Sequence, residues 1–189
     1  MCIRDSASAL LWGLSAWMTR RIETTVPING RFVEVDGERF HYVEEGKGPP
    51  LVMIHGLMGS SRNLTYALSG QLRERFRVIT LDRPGSGYSS RGAHTAADLP
   101  AQARQIAAFI KTLDLDKPLV LGHSLGGAIA LALALDHPHA VSGLVLVAPL
   151  THPQRLLPLV FLSLAVRPAW LRRWVSHTLT LPVGLLTKG

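Results

Sequence analysis

Pro118-Leu119-Val120-Leu121-Gly122-His123-Ser124-Leu125-Gly126-Gly127 is the stretch on which the reading of the fold turns. Its first four residues are a short apolar run, the kind that fills a fully buried strand. It leads into residues 128–136, small and apolar up to Asp136, which fits a buried helix. Between them stands Gly-x-Ser-x-Gly. As five letters the pattern is weak, because glycine and serine are common. Joining a buried strand to a small-residue helix, it becomes specific. The turn is so tight that side chains at Gly122 and Gly126 would meet neighbouring backbone. Ser124 is then held in a strained conformation that lifts its hydroxyl clear of the sheet. It also stands at a helix amino terminus, where free N–H groups favour a developing anion. Ser124 is therefore the expected nucleophile.

Further apolar runs lie on either side. Residues 50–54 end in His55-Gly56, residues 76–81 end in Asp82-Arg83, and residues 141–147 end at Ala148. Residues 61–75 read as a polar helix. Residues 96–113 place Leu99, Ile106, Phe109, Ile110 and Leu113 at helical spacing. Residues 31–35 and 38–44 alternate apolar and polar around Asp36-Gly37, a strong hairpin signal. Residues 22–30 read as a connector. Strand-like runs alternating with helices predict an α/β fold, a mostly parallel sheet with helices on both faces. Right-handed crossovers then bring the strand carboxyl ends to one edge. His55, Asp82, residues 122–126 and Ala148 all fall just past those ends, where active sites of open α/β sheets sit.

With these motifs in this order, residues 31–150 resemble the core of the α/β-hydrolase fold superfamily, in its serine esterase and lipase-like branch. His55-Gly56-Leu57-Met58-Gly59 resembles the family's oxyanion loop. Asp82-Arg83-Pro84-Gly85-Ser86-Gly87-Tyr88-Ser89 resembles the next loop of its esterase, epoxide hydrolase and dehalogenase branches. The resemblance implies an oxyanion hole made by the backbone N–H groups of Leu57 and Leu125. It gives His55, Gly56, Asp82 and Arg83 structural roles in holding the loops, and sets His123 beside the nucleophile. Dehalogenases and epoxide hydrolases of this fold carry aspartate where Ser124 stands, so those activities are not expected. The expected reaction is hydrolysis of an ester or related acyl bond through an acyl-serine, with a small-molecule acyl ester as partner. No cofactor and no metal is implied. Three rivals share the elbow: a carbon–carbon bond hydrolase, a cofactor-free perhydrolase, and a non-catalytic binding protein on the same scaffold.

A serine hydroxyl needs a general base, and the base needs an orienting carboxylate. In the resembled fold both follow the serine in sequence. After Ser124 the only carboxylate is Asp136. It lies twelve residues along the same helix, about 18 Å away by helical rise. His137 and His139 share that far end, and His152 and His177 fall after the sixth strand. The acid and the base are therefore expected beyond residue 189, in a sheet cut after its sixth strand. The 189-residue chain alone is then expected to be inactive and to fold poorly. Residues 151–189 are expected to begin a helical cap, with Leu156, Leu157, Val160, Phe161, Leu164 and Val166 on one apolar face. An ordinary packed helical pair is the other reading.

Composition bounds the rest. With 47% apolar and 17% charged residues the chain is globular, and 189 residues suffice for one domain with a core. The net charge is +7, but the arginines are scattered and form no stripe, so no nucleic-acid partner is expected. No acidic residue follows Asp136, whereas Arg155, Arg167, Arg172, Arg173 and Lys188 do. That composition suits a surface meeting lipid or an apolar partner. Cys2 is the only cysteine, which excludes an intramolecular disulfide. Residues 1–6, Met-Cys-Ile-Arg-Asp-Ser, match one reading frame of a sequencing-adapter end and are set aside as an artefact. Residues 7–21, with Trp12, Trp17, Arg20 and Arg21, read as a truncated membrane anchor, too short as it stands to span a bilayer. A signal-peptide core and a packed amphipathic helix are the alternatives. The expected location is membrane-associated, at a bacterial inner membrane.

Overall fold

The computed structural model describes residues 27–92 and 95–152, with Gly13, Leu14, Ala16, Trp17, Arg20, Arg21 and Thr24. Asn29–His152 forms a compact unit of its own. Residues 1–6, much of the expected anchor at 7–21, and all of the expected cap beyond His152 lie outside the described residues. Among the described residues no helix is long and apolar enough to cross a membrane.

Six strands form one sheet: β1 (Arg31–Val35), β2 (Glu38–Glu45), β3 (Pro50–Ile54), β4 (Arg77–Leu81), β5 (Leu119–His123) and β6 (Gly143–Val147). Their order is β1-β2-β4-β3-β5-β6. The hairpin turns at Asp36 and Gly37, both with positive φ (49° and 79°), as a type I′ turn requires. β2 pairs antiparallel with both β1 and β4, while β3, β4, β5 and β6 are mutually parallel. The carboxyl end of β2 therefore lies at the opposite edge from the others, a correction to the expectation that all strand ends converge.

Helices cover both faces. On one side run α1 (Ser61–Leu64), a π-helical turn at Thr65–Ser69, and α2 (Gly70–Leu72). The helix stops at Leu72 rather than near residue 75, because the Leu72 carbonyl takes up the N–H groups of Arg75 and Phe76 and turns the chain into β4. On the other side lie α3 (Leu99–Thr112) and α4 (Leu125–Asp136). The Asp98 carboxylate caps α3 by accepting the Ala101 N–H at 2.8 Å. The alternation within each buried strand divides the core. Val52 and Ile54 face Ile106, Phe109, Ile129 and Leu133 of α3 and α4. Leu51 and Met53 face Leu64 and the α1–α2 side. Such period-two division is what a strand covered on both faces produces.

Two boundaries moved. The strand read at 118–121 runs on to His123, because Gly122 and His123 pair with Leu146 and Val147. The helix read from residue 128 begins at Leu125, since the Ser124 carbonyl accepts from Gly127 N–H (2.9 Å) and Ala128 N–H (3.2 Å). The carboxyl end of α4 is less buried than expected, with Leu135 exposed.

Candidate active site

The register aligns the ends of the parallel strands. Ile54 stands opposite Leu81 on one side and Gly122 on the other, and Gly122 stands opposite Leu146. Chain order reverses at β3. The connection after β3 leads through α1 and α2 to β4, and the connection after β4 passes back over β3 to β5. The loops leaving β3 and β5 therefore diverge, the position at which open α/β sheets bind ligands. His55–Gly59 and Ser124 both lie there.

Ser124 has φ 53° and ψ −117°. These are the angles of the first central residue of a type II′ turn, where glycine normally stands. Four carbonyl contacts lock the turn: Ser124 N–H donates to the Val147 carbonyl at 3.0 Å, and the Ser124 carbonyl accepts from Gly127 and Leu150 (2.9 Å each) and from Ala128 (3.2 Å). The fit needs glycines. A Cβ at Gly122 would overlap the Gly126 carbonyl, and one at Gly126 would overlap the Ile54 carbonyl. A Cβ at Gly56 would lie 3.1 Å from Ser124 Cβ and 3.2 Å from His123 Nδ1. The β3 loop thus presses against the serine with backbone alone.

Leu57 and Leu125 flank this contact. Neither N–H donates to another part of the described backbone. Leu125 is the first residue of α4, so its N–H is one of the four free donors at a helix start. Leu57 and Met58 are exposed, and Met58 has φ 56°. His123 is exposed beside the serine. The Ser124 hydroxyl has no hydrogen-bond partner among the described residues.

His55 is buried, with Nδ1 at 2.8 Å from the Gly56 carbonyl and Nε2 accepting the Arg83 N–H at 3.1 Å. Both nitrogens are thus engaged away from Ser124. Burial, and then the Arg83 charge, hold its pKa down from 6.5 to about 4. The linkage has a definite sign. Between pH 6.5 and 4 the unfolded chain binds a proton that the folded chain does not, so stability falls as pH falls through that window. The loss is about 3 kcal/mol in full. His55→Gln, which cannot titrate, is expected to flatten the slope of unfolding free energy between pH 6.5 and 4 relative to wild type. Equal slopes in urea titrations of the two proteins would refute this.

Asp82 is equally buried. Its carboxylate accepts the Ser61 N–H (2.6 Å) and Tyr88 N–H (3.0 Å) and faces His41 Nδ1 (2.8 Å). The Arg83 guanidinium donates to the Gly56 carbonyl (3.0 Å) and to Gln102 Oε1 (2.9 Å). These contacts tie the loops after β3 and β4 together.

Sequence reasoning missed three of the residues involved. His41, on β2, bridges Asp82 and the Asn29 carbonyl (2.5 Å). Gln102 carries Arg83. Glu38 accepts from Gly92 N–H (2.6 Å), Thr95 (2.7 Å) and Ser90 (3.1 Å), and these hydrogen bonds, Thr95 first, hold its pKa below the usual carboxylate value. One signal was present for Gln102: it occupies the helical slot between Leu99 and Ile106, where the stripe calls for an apolar residue. A polar group there needs a buried partner.

At the other end of α4 lies Asp136, too far to orient a base at Ser124. His152 is engaged with the Thr151 hydroxyl at 3.0 Å, and His177 lies outside the described residues. No group of three or more potential metal ligands occurs among the described residues.

A family model described as alpha/beta hydrolase fold matches residues 49–188. Haloalkane dehalogenase 2 of Mycobacterium bovis is 36% identical over 123 residues, covering 64% of this chain and 42% of the relative. Among solved structures, an N-acyl homoserine lactonase, AidH, aligns with TM-score 0.59 and 29% identity, over 65% of this chain and 45% of that one. A protein described as a membrane phospholipase A aligns with TM-score 0.63 and 28% identity, over 86% and 54%. The chain thus spans about half or less of the length of each of these proteins.

Proposed function

This chain belongs to the alpha/beta hydrolase fold family, and from that premise we propose that the protein is a serine hydrolase cleaving an ester or related acyl bond through an acyl-Ser124 intermediate. The observation that carries the reading is Ser124 in a strained turn at the start of α4, with the N–H groups of Leu125 after it and of Leu57 in the adjoining loop both unengaged by the described backbone. Ser124 Oγ attacks the acyl carbon and gives its proton to a base. The carbonyl oxygen, now an anion, takes the two N–H groups. The C–O bond to the alcohol breaks, the proton returns to the leaving oxygen, and water repeats the sequence to free the acid. The base and its carboxylate are assigned to protein outside the described residues, since no Asp or Glu follows Asp136 in residues 137–189.

Serine at position 124 favours this reading over the activity named for the mycobacterial relative. Displacement of a halide by a serine oxygen would leave an ether, which has no carbonyl for water to attack. Acyl transfer leaves an ester, which turns over. Membrane association through residues 7–21 belongs to the same proposal. Trp17 is exposed and the Arg21 guanidinium lies 5.2 Å from its ring centre, a pairing suited to a lipid interface.

The test is labelling by a fluorophosphonate, which reacts quickly only with an activated serine. In the protein at its full natural length, mass spectrometry should find the label on the peptide containing Ser124, and Ser124→Ala should abolish it. Label on another serine, or none on the wild type, would refute the assignment. Residues 1–189 alone should label slowly.

A further inference from the structure

We propose that Arg83 is a positioning residue of the oxyanion hole: its guanidinium fixes the Gly56 carbonyl and so aims the Leu57 N–H at the anion formed on Ser124. The inference rests on the reading of Ser124 as nucleophile and of Leu57 as one of the two donors.

The Gly56 carbonyl and the Leu57 N–H belong to the same planar, trans peptide, so they point in opposite directions. Whatever holds the carbonyl therefore sets where the N–H points. Three donors hold it: His55 Nδ1 at 2.8 Å, an Arg83 guanidinium nitrogen at 3.0 Å, and Gly59 N–H at 3.3 Å. All three hold the carbonyl, and the Leu57 N–H on the opposite side of the peptide has no acceptor among the described backbone. His55 and Gly59 belong to the loop itself and move with it. Arg83 comes from the loop after β4 and is the one external anchor of the three.

Arg83 is itself anchored. Its other terminal nitrogen donates to Gln102 Oε1 at 2.9 Å, and Gln102 Nε2 donates to the Ala97 carbonyl at 2.8 Å. The chain of contacts runs from the start of α3, through Gln102 and Arg83, to the peptide beside Ser124. A loop would gain this much from a neutral donor, yet the residue is a cation. Arg83 is 5% exposed, forms no ion pair among the described residues, and keeps a buried Nε without a hydrogen-bond partner. The neighbouring Asp82 carboxylate is taken up by His41, Ser61 and Tyr88. A buried, uncompensated charge is costly for packing alone. Burial and the Arg91 charge lower its pKa only to about 10, so it stays protonated at neutral pH. Its field acts through the Gly56–Leu57 peptide toward the place where negative charge develops, and a fixed charge in a dry site is most effective there.

The experiment compares wild type, Arg83→Met, Arg83→Lys and Gln102→Leu in the protein at its full natural length. The readouts are kcat and KM for p-nitrophenyl butyrate, normalised to the fraction of Ser124 that takes fluorophosphonate, and the inhibition constant of an alkylboronic acid, whose adduct with serine is a tetrahedral anion. Arg83→Met should lower kcat and boronate affinity about 10- to 100-fold, with KM changed little. Arg83→Lys, which keeps the charge, should recover part of both, and Gln102→Leu should fall between. If Arg83→Met does not fold, the other two carry the test. Folded variants with kcat and boronate affinity within about twofold of wild type would overturn the proposal. A wild type that neither hydrolyses the ester nor binds the boronate would sink the serine-hydrolase reading and this inference with it. An active wild type with indifferent Arg83 and Gln102 variants sinks this inference alone.

Discussion

Ser124→Gly is expected to give a protein that melts at a higher temperature and no longer turns over an acyl ester. At φ 53° and ψ −117° any side chain is strained. A residue held in such a region costs about 1–3 kcal/mol. Glycine removes that strain and gives back about 0.5–1 kcal/mol in the entropy of the unfolded chain. The balance favours the variant by about 1 kcal/mol, or a few degrees in melting midpoint. Ser124→Ala is the decisive control, because it loses the hydroxyl but keeps the Cβ. If the strain account holds, alanine melts like serine and only glycine melts higher. Equal midpoints for glycine and alanine would show that the turn carries no strain to release. Both variants should lose activity on the order of 10⁴- to 10⁶-fold, measured as kcat on p-nitrophenyl butyrate in the protein at its full natural length. Stability and function are then opposed at one residue, and the β5–α4 turn is the place where the fold gives up stability to hold a hydroxyl at the strand ends.

Much of this was legible before any coordinates. The buried strands read directly because β3, β4 and β5 are short, largely apolar runs closed by His55-Gly56, Asp82 and Gly122, and each lies within two residues of its expected bounds. The strand-to-helix turn at Ser124 read well because its shape is set by backbone. Gly122 must pass the Gly126 carbonyl four residues on, a need local to the Gly-x-Ser-x-Gly turn, whereas the approach of Ile54 to Gly126 and of His123 and Ser124 to Gly56 is long-range and showed only through the motif. What stayed hidden depends on contacts between elements distant in the chain. His41 and Asp82 are 41 residues apart, and Arg83 and Gln102 are 19 apart. Nothing in β2 marks His41 as the partner of a carboxylate two strands later. The reversal of β2 against the parallel strands was hidden for the same reason, since pairing direction is set by which strand is neighbour to which. The π-helical turn at Thr65–Ser69 has no periodicity of its own to betray it within five residues.

Gly126→Ala is expected to destabilise the protein strongly, and helix propensity alone would argue the opposite. Gly126 is the second residue of α4. In a helix, alanine is favoured over glycine by about 1 kcal/mol. Against that stands the space available. A Cβ at position 126 would overlap the Ile54 carbonyl and lie 2.7 Å from the His55 carbonyl oxygen. Both are backbone atoms of β3 and its loop, and no rotamer change can move them. Relief requires β3 to shift from β5, to which it is bound in register through Leu51–Ile54. Overpacking of this kind costs about 1–3 kcal/mol where side chains can yield, so a clash with fixed backbone should cost at least the upper figure net of propensity. Gly70→Ala provides the contrast. Gly70 opens α2 with φ −54°, and a Cβ there meets nothing within 4 Å. It should gain up to about 1 kcal/mol by propensity. Urea unfolding of the two variants measures both terms. Opposite signs, with Gly126→Ala the larger, support the argument, and a stable Gly126→Ala would mean that β3 can move away from the elbow. The shift would also carry Ile54 and His55, and with them the Leu57 N–H. Whatever Gly126→Ala protein does fold should therefore lose kcat along with stability, because the methyl group that loosens the sheet also misplaces the proposed donor.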